Sequence, residues 1–219
     1  MTDRMFAIGD IHGCFDTLRT LVEQKIRIKK NDQIIFLGDY IDRGPHSKEV
    51  IDYILDLQSN GFNIRALIGN HEAMLLNALD RTERLWAWLQ NGAEETLKSF
   101  GIRSLKDLGP KYITFFRNLN YYFAIDQFLF VHAGFNDKAT NPFDDKYSMV
   151  WTRNEHYEHP SLKDKIIVHG HTPIPVEKCR ERLQMNRKVI NIDTGCVYAE
   201  YPGYGKLTAL EINSMTLYS

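Results

Sequence analysis

The run Gly38-Asp39-Tyr40-Ile41-Asp42-Arg43-Gly44 follows directly on the apolar residues Ile34-Ile35-Phe36-Leu37. This pattern predicts a buried strand that ends in two carboxylates, one guanidinium and two glycines. Ligands of open α/β sheets bind beyond the carboxyl ends of the strands, and glycine lets the backbone approach a ligand closely. We therefore expect a ligand site here, with Asp39 as the candidate carboxylate that bridges two metal ions.

The same arrangement recurs at four other predicted strands. Apolar runs at residues 5–8, 62–68, 128–131 and 166–168 each lead into a polar turn that contains glycine. Because strand ends on one edge of a sheet converge, we expect the side chains of these turns to meet Asp39. They are Asp10 and His12, Asn70 and His71, His132, and His171.

The order of the predicted elements indicates the fold class. Strands at 5–8, 33–37 and 62–68 alternate with helical patterns at 16–22 and 45–60, which is typical of βαβ units with parallel strands. Residues 81–120 predict a mostly helical insertion whose aromatic side chains belong to the core. A hairpin around Asp126-Gln127, a strand-to-loop junction at 149–153 and strands at 189–192 and 207–212 follow. We expect a single α/β domain over residues 1–219.

Composition narrows the function classes. The chain has a net charge of -1 and is 43% hydrophobic, which disfavours nucleic acid as the main partner. No run approaches the roughly 20 apolar residues of a membrane span, and the amino terminus does not resemble a signal peptide. Cys14, Cys179 and Cys196 are widely spaced, so we expect reduced thiols and a cytoplasmic location. The oligomeric state is not indicated.

The residue types at the strand ends favour particular ions. Aspartate, histidine and asparagine without cysteine suit Mn²⁺, Fe or Zn²⁺ rather than Ca²⁺ or Mg²⁺ alone. Two such ions that share a carboxylate can turn water into a hydroxide nucleophile near neutral pH. Arg43 and Arg153 are candidate donors to phosphate oxygens, because guanidinium groups match phosphate geometry.

Three motifs resemble a known family. GDIHG (residues 9–13), GDYIDRG (38–44) and GNHE (69–72) look like the signature motifs of the phosphoprotein phosphatases, a branch of the calcineurin-like metallophosphoesterases. HAG (132–134) and HGHT (169–172) are similar to its later histidine motifs. HGHTPI and INIDTG (190–195) resemble the bacterial and phage branch. The resemblance implies a four-layer α/β/β/α sandwich with a dimetal centre at the strand ends.

The resemblance also implies a role for each residue at a matching position. His71, paired with Asp42, would be the general acid. Arg43, Arg153 and Asn70 would contact the substrate phosphate. Asp10 and His12 would bind the first metal, Asp39 both metals, and Asn70, His132 and His171 the second.

One departure from the broader superfamily bears on the subtype. Related metallophosphoesterases often continue the last motif as GHTH, with a second histidine ligand, whereas this chain has Pro173 there. The proline favours the phosphoprotein phosphatase type. His169 matches no ligand position, so we expect it to be structural.

These features favour a serine/threonine protein phosphatase that acts on phosphorylated proteins with two divalent ions, Mn²⁺ first and Fe or Zn²⁺ otherwise. The alternative is a symmetrical diadenosine tetraphosphate hydrolase, whose motifs resemble GDLVARG and GNHD; Asp42 and Glu72 argue against it. A non-catalytic phosphate-binding module is disfavoured, because every ligand and the acid are present.

Overall fold

The computed structural model describes residues 3–219 and contains two β-sheets packed face to face. The nine strands are short, and most follow the apolar runs in the sequence. They are β1 (Met5–Ile8), β2 (Gln33–Phe36), β3 (Asn63–Ala66), β4 (Tyr122–Ile125), β5 (Phe128–Val131), β6 (Ile166–His169), β7 (Val189–Asn191), β8 (Ala209–Glu211) and β9 (Thr216–Tyr218).

Eight α-helices connect and cover the strands. They are α1 (Phe15–Arg19), α2 (Ser47–Ser59), α3 (Asn70–Asp80), α4 (Leu85–Trp88), α5 (Glu94–Phe100), α6 (Pro110–Arg117), α7 (Lys146–Trp151) and α8 (Val176–Gln184). Two π-helical segments, Thr20–Ile26 and Leu89–Ala93, extend α1 and join α4 to α5; short 3₁₀ turns lie at Thr82–Arg84 and Leu105–Asp107.

The first sheet has the strand order β3-β2-β1-β8-β9. Its first three strands are parallel, with Phe6 opposite Ile34 and Ile34 opposite Ile64. Strand β8 is antiparallel to β1, and β9 is antiparallel to β8. Because parallel strands need a crossover, α1 and α2 return the chain so that β1, β2 and β3 end at the same edge. This confirms the predicted βαβ arrangement.

The second sheet has the order β4-β5-β6-β7. Strands β4 and β5 form the predicted hairpin, with Ile125 opposite Phe128. Strands β5, β6 and β7 are parallel, so β5 and β6 also end at a common edge.

Alternating side chains divide the core into layers. In β1, Phe6 and Ile8 pack toward α1 and α2, whereas Ala7 faces the second sheet. In β5, Phe130 faces the first sheet, and Leu129 packs on the outer side with α7. The two sheets flanked by helices form the expected α/β/β/α sandwich.

Some sequence-based expectations differ from the structure. Residues 149–151 belong to the helix α7 rather than a strand, and neither α8 nor β9 was predicted. Within the insertion, Trp88 is fully buried as expected, but Trp86 is 67% exposed, so the aromatic side chains are not all core. Between residues 3 and 219, no helix is long and apolar enough to cross a membrane.

Candidate metal centre

The carboxyl ends of β1, β2, β3, β5 and β6 meet at one edge of the two sheets, and a predicted ligand follows each strand. Most of these side chains are buried, and His171 is half-buried. The structure therefore brings together residues that lie up to 161 positions apart in the chain. The six are Asp10, His12, Asp39, Asn70, His132 and His171.

Asp39 lies between two groups of potential ligands. Its Oδ2 atom is 3.5 Å from Nε2 of His12 and 3.5 Å from Nε2 of His132. Asp39 forms one close group with His12 and His71 and another with His132 and His171. A carboxylate shared by two groups is what a bridging ligand requires.

The second group is the tighter one. Oδ1 of Asn70 lies 3.0 Å from Nε2 of His132 and 2.9 Å from Nδ1 of His171, and those two nitrogens are 3.2 Å apart. The backbone N–H of His171 donates to Oδ2 of Asp10 at 3.0 Å. One amide oxygen and two imidazole nitrogens converging on one point fit a divalent cation.

Unpaired buried atoms also fit bound ions. Among the described residues, Oδ1 of Asp10 and the Nε2 atoms of His71 and His171 are buried without a hydrogen-bond partner. Buried polar atoms are normally paired. A metal ion at the centre would give Oδ1 of Asp10 a partner, and Nε2 of His71 would remain free for a substrate oxygen.

The ionisation of the site suits metal binding as well. Burial lowers the pKa values of His12, His132 and His171, the last to about 3. Burial opposes ionisation of Asp39, but the surrounding histidines outweigh it and lower the pKa of this carboxyl. Neutral imidazole and ionised carboxylate are the forms that coordinate metal.

Left-handed backbone conformations cluster in these turns. Five non-glycine residues of the site have positive φ angles: His12 (47°), Asp39 (51°), Asp42 (70°), Arg43 (69°) and His171 (72°). Such conformations cost on the order of 1–3 kcal/mol each and persist where the surroundings enforce them. The turns of the site therefore hold these residues in conformations that the surrounding structure must enforce.

Two glycines are required by close approach to the carboxylates. A Cβ atom on Gly69 would overlap Oδ1 of Asp39, and one on Gly170 would overlap Oδ1 of Asp10. Any side chain at either position would displace a candidate ligand. The glycines that flank the motifs therefore have a packing role beyond turn formation.

His71 and Asp42 form the predicted pair. Nδ1 of His71 is 2.6 Å from Oδ2 of Asp42, and its Nε2 is 4.0 Å from Oδ2 of Asp39. Trp88 and Thr96 of the insertion donate to Asp42 at 2.9 and 2.6 Å. Burial alone would lower the pKa of His71, but the two carboxylates raise it overall. The imidazole is thus held in one orientation with its free nitrogen facing the centre.

Glu72 fastens two of the motif turns together. Its buried carboxylate accepts N–H bonds from Asp39 at 2.9 Å, Tyr40 at 2.8 Å and Gly69 at 2.9 Å. Burial raises the pKa of Glu72 to about 8, and these donated bonds counteract the rise. The glutamate of GNHE is therefore a structural support for Asp39, a role the sequence did not indicate.

The two predicted phosphate-binding arginines lie differently. The Nη1 atom of Arg43 is 2.7 Å from Nε2 of His12, inside the cluster. Arg153 is exposed and donates to the carbonyl of Trp151 at 3.4 Å. It is close enough to His171 to lower the pKa of that imidazole further. Arg43 is at the centre and Arg153 at its rim.

Asp193 is a buried residue of this site that sequence reasoning missed. Its carboxylate accepts the N–H of Gly195 at 2.9 Å and lies against Asp10. Burial raises its pKa to about 7. The signal was present, because INIDTG is another apolar strand that leads into a polar turn with glycine.

Residues 4–199 match the calcineurin-like phosphoesterase family model. The chain belongs to the calcineurin-like phosphoesterase family. This phosphoesterase is 27% identical to the asymmetrical bis(5′-nucleosyl)-tetraphosphatase PrpE of Anoxybacillus flavithermus, over 95% of the chain and 90% of that protein. It is 32% identical to the symmetrical bis(5′-nucleosyl)-tetraphosphatase of Buchnera aphidicola, over 59% of the chain and 43% of that protein.

Solved structures agree on the fold of this phosphoesterase. A crystal structure provisionally described as a diadenosine tetraphosphatase superposes with a TM-score of 0.68 at 20% identity, covering all of this chain and 93% of the other. The structure of a protein serine/threonine phosphatase from Saccharomyces cerevisiae superposes with a TM-score of 0.64 at 16% identity, covering 95% of this chain and 73% of the other. At these identities the likeness establishes the sandwich and not the substrate.

Proposed function

We propose that this phosphoesterase hydrolyses bis(5′-nucleosyl) tetraphosphates and cleaves them asymmetrically, into a triphosphate and a monophosphate. The similarity to an asymmetrical tetraphosphatase along nearly the whole of both chains carries this proposal. The similarity to the symmetrical Buchnera enzyme covers less than half of that protein. In the sequence, Asp42 and Glu72 argue against the symmetrical type, and they carry no argument against the asymmetrical type.

The proposed ligands follow from the two groups around Asp39. Asp10, His12 and Asp39 would hold one ion, and Asp39 would share the other with Asn70, His132 and His171. Mn²⁺ is our first choice, with Fe or Zn²⁺ also compatible with this donor set. Divalent ions bound there would lower the pKa of water and neutralise charge on the phosphoryl oxygens.

The side chains of the protein supply the remaining steps. His71 would give the proton on Nε2 to the leaving oxygen, and Asp42 holds the opposite nitrogen so that Nε2 faces the centre. Arg43 and Arg153, with the amide of Asn70, would orient the phosphoryl group. In-line attack by water needs no covalent enzyme intermediate, so a trapped phosphoenzyme would contradict this scheme.

A protein serine/threonine phosphatase is the second candidate, and the 2.6 Å contact between His71 and Asp42 favours it. Serine and threonine alkoxides are poor leaving groups and need a proton in the transition state more than a departing phosphate does. The buried, well-supported acid therefore suits a phosphomonoester of a protein. Phosphorylated proteins would then be the partners.

A direct rate comparison tests both candidates. Metal-free protein is supplied with Mn²⁺, and kcat/KM is measured for diadenosine tetraphosphate, a phosphoserine peptide, a phosphotyrosine peptide and p-nitrophenyl phosphate. We expect the dinucleotide to be the best substrate, with ATP and AMP as products on chromatography. Two molecules of ADP would move the assignment to the symmetrical type. A faster reaction with the phosphoserine peptide would make the second candidate correct.

A further inference from the structure

A groove leads away from the candidate metal centre between α3, the insertion and α7. We call it the α3–α7 groove and define it by Met74, Asn77, Arg81, Arg84, Tyr147 and Trp151. Its cavity volume is about 430 Å³, within the range of small-molecule sites.

The inner end of the groove adjoins the candidate metal ligands and phosphate donors. The ring of Trp151 meets the ring of His171 edge-on, with centroids 6.0 Å apart. Asn91 also lines the groove, and the carbonyl of the next residue, Gly92, accepts the backbone N–H of Arg43 at 3.1 Å. A substrate whose phosphate lies at the centre could therefore extend directly into the groove.

The face of α3 gives the groove its direction. Asn70 begins this helix at the centre, Met74 and Asn77 follow along one side, and Arg81 comes directly after the last helical residue, Asp80. At 1.5 Å per residue, Asn77 lies about 10 Å and the end of the helix, just before Arg81, about 15 Å further along the axis. The arginine is thus set back from the reacting phosphate.

The groove combines two chemical features. Tyr147 is 72% exposed and lies roughly parallel to Trp151, with ring centroids 6.3 Å apart. Arg81 and Arg84 are exposed, and neither has an ion-pair partner among residues 3–219. Flat aromatic faces stack on nucleobases, and guanidinium groups match phosphate oxygens.

We propose that the α3–α7 groove binds the nucleoside polyphosphate portion of the substrate distal to the cleaved bond. The base stacks on Tyr147, and Arg81 and Arg84 bind phosphates beyond the one at the centre. The inference rests on the proposed dinucleotide function and deepens it by assigning residues that select the substrate.

The charge of the groove favours a nucleotide over a peptide. Arg43 and Arg153 already serve the phosphate at the centre, and a singly phosphorylated peptide offers no second phosphate to Arg81 and Arg84. A dinucleoside tetraphosphate supplies several phosphates in line and a base at each end. One such ligand can therefore both pair its phosphates with Arg81 and Arg84 and stack a base on Tyr147.

Two variants test this assignment, and each has a matched control. Tyr147→Ala removes the stacking face, whereas Tyr147→Phe keeps it. The double variant Arg81→Ala/Arg84→Ala removes both charges, and Arg103→Ala removes an exposed arginine elsewhere in the insertion. For each protein, kcat/KM is measured for diadenosine tetraphosphate and p-nitrophenyl phosphate, together with a phosphoserine peptide.

We expect the ratio of dinucleotide to p-nitrophenyl phosphate kcat/KM to fall about ten-fold or more in Tyr147→Ala and in the double variant, chiefly through KM. Tyr147→Phe and Arg103→Ala should keep the wild-type ratio. An unchanged ratio in both test variants overturns the inference and leaves the proposed function standing. A loss confined to the phosphopeptide also overturns it, since the groove would then bind a peptide.

A binding measurement separates failure of the groove from failure of the function. A diadenosine tetraphosphate analogue in which methylene replaces all three bridging oxygens, so that neither asymmetrical nor symmetrical cleavage can occur, is titrated calorimetrically into the wild type and the same variants. If the wild type cleaves no dinucleotide but binds the analogue about ten-fold more tightly than Tyr147→Ala, the proposed function fails and the groove inference holds. Equal affinity in all proteins refutes the groove inference whatever the substrate.

Discussion

Replacing the proposed acid, His71→Asn, tests the chemistry most directly. The imidazole is fully buried, with Nδ1 2.6 Å from Asp42 and Nε2 free toward Asp39. Asparagine can still donate to Asp42 but carries no transferable proton. Positioned general acids contribute about 10²–10⁴-fold in rate, which corresponds to about 2.7–5.4 kcal/mol of barrier. For an alkyl phosphate, whose leaving group needs the proton, we expect kcat to fall by that factor.

The loss should depend on the leaving group. An alkyl phosphate such as phosphoserine expels a basic alkoxide that needs protonation, whereas p-nitrophenolate leaves readily without it. Single-turnover rates of wild type and His71→Asn on both substrates therefore measure proton donation itself. We expect a loss near the top of the range for the alkyl ester and little loss for the aryl ester.

Metal content provides the essential control, because His71 also lies in one of the two ligand groups around Asp39. The variant and the wild type are loaded with Mn²⁺ and measured by mass spectrometry. If the variant loses one ion per chain, His71 is a ligand and not an acid. Equal losses on the alkyl and aryl substrates at full metal content would refute proton donation.

Three further substitutions probe the supports of the site and of the fold. Trp88→Phe removes one donor to buried Asp42, so the free energy of unfolding should fall by about 1–3 kcal/mol in urea titrations, with slower turnover. Glu72→Gln replaces one carboxylate oxygen by an NH₂ group, which cannot accept from the backbone N–H groups of Asp39 and Tyr40. Because this loosens the turn that holds Asp39, both Tm and Mn²⁺ affinity should fall in calorimetry. The third substitution, Asp32→Asn, tests an ion pair. Burial favours the neutral form of Asp32, but the hydrogen bonds from Arg4 outweigh burial and hold the pKa of this carboxyl below its ordinary value. That stabilisation is fully present above about pH 4, the ordinary pKa of an aspartate, and is lost as the pH falls through the lower pKa of the folded state, so the Tm deficit of Asp32→Asn should shrink steadily below about pH 4.

The candidate site was predictable because its signal is local and repeated. Each metal-type residue follows an apolar run and lies beside glycine, and Asp39 and His132 show this within a few residues. Parallel pairing of β1, β2 and β3 then makes convergence at one edge a geometric consequence. The same logic would have identified Asp193, had its strand end been weighed with the others.

The contribution of the insertion was not predictable from local patterns. Trp88 is 46 residues from Asp42, and its spacing among other apolar residues gave only a core assignment. Its buried indole also donates a hydrogen bond, which depends on how the insertion folds back on the motif turn. The helix α7 was missed for a related reason, since its few residues carry no clear helical period.

The substrate was not determined by the motifs, because they address only one phosphate. Asp42 and Glu72 were an argument against a symmetrical hydrolase, but in the structure they support the proposed acid and Asp39. The choice between a dinucleotide and a phosphoprotein depends on what surrounds the centre. Residues in the α3–α7 groove, which no motif contains, are therefore where substrate specificity should be sought.

The insertion contributes both to the support of the proposed acid and to the α3–α7 groove. On one side it donates from Trp88 and Thr96 to Asp42, and so fixes the proposed acid. On the other side it contributes Arg84 to the α3–α7 groove. Substitutions of Trp88 and Thr96 should slow turnover according to how much the leaving group needs a proton, whereas a substitution of Arg84 should change the ranking of substrates according to what they place in the groove. A sandwich whose candidate metal ligands stay fixed can thus acquire a new substrate through changes in the insertion and in α7, without alteration of the strands that hold the centre.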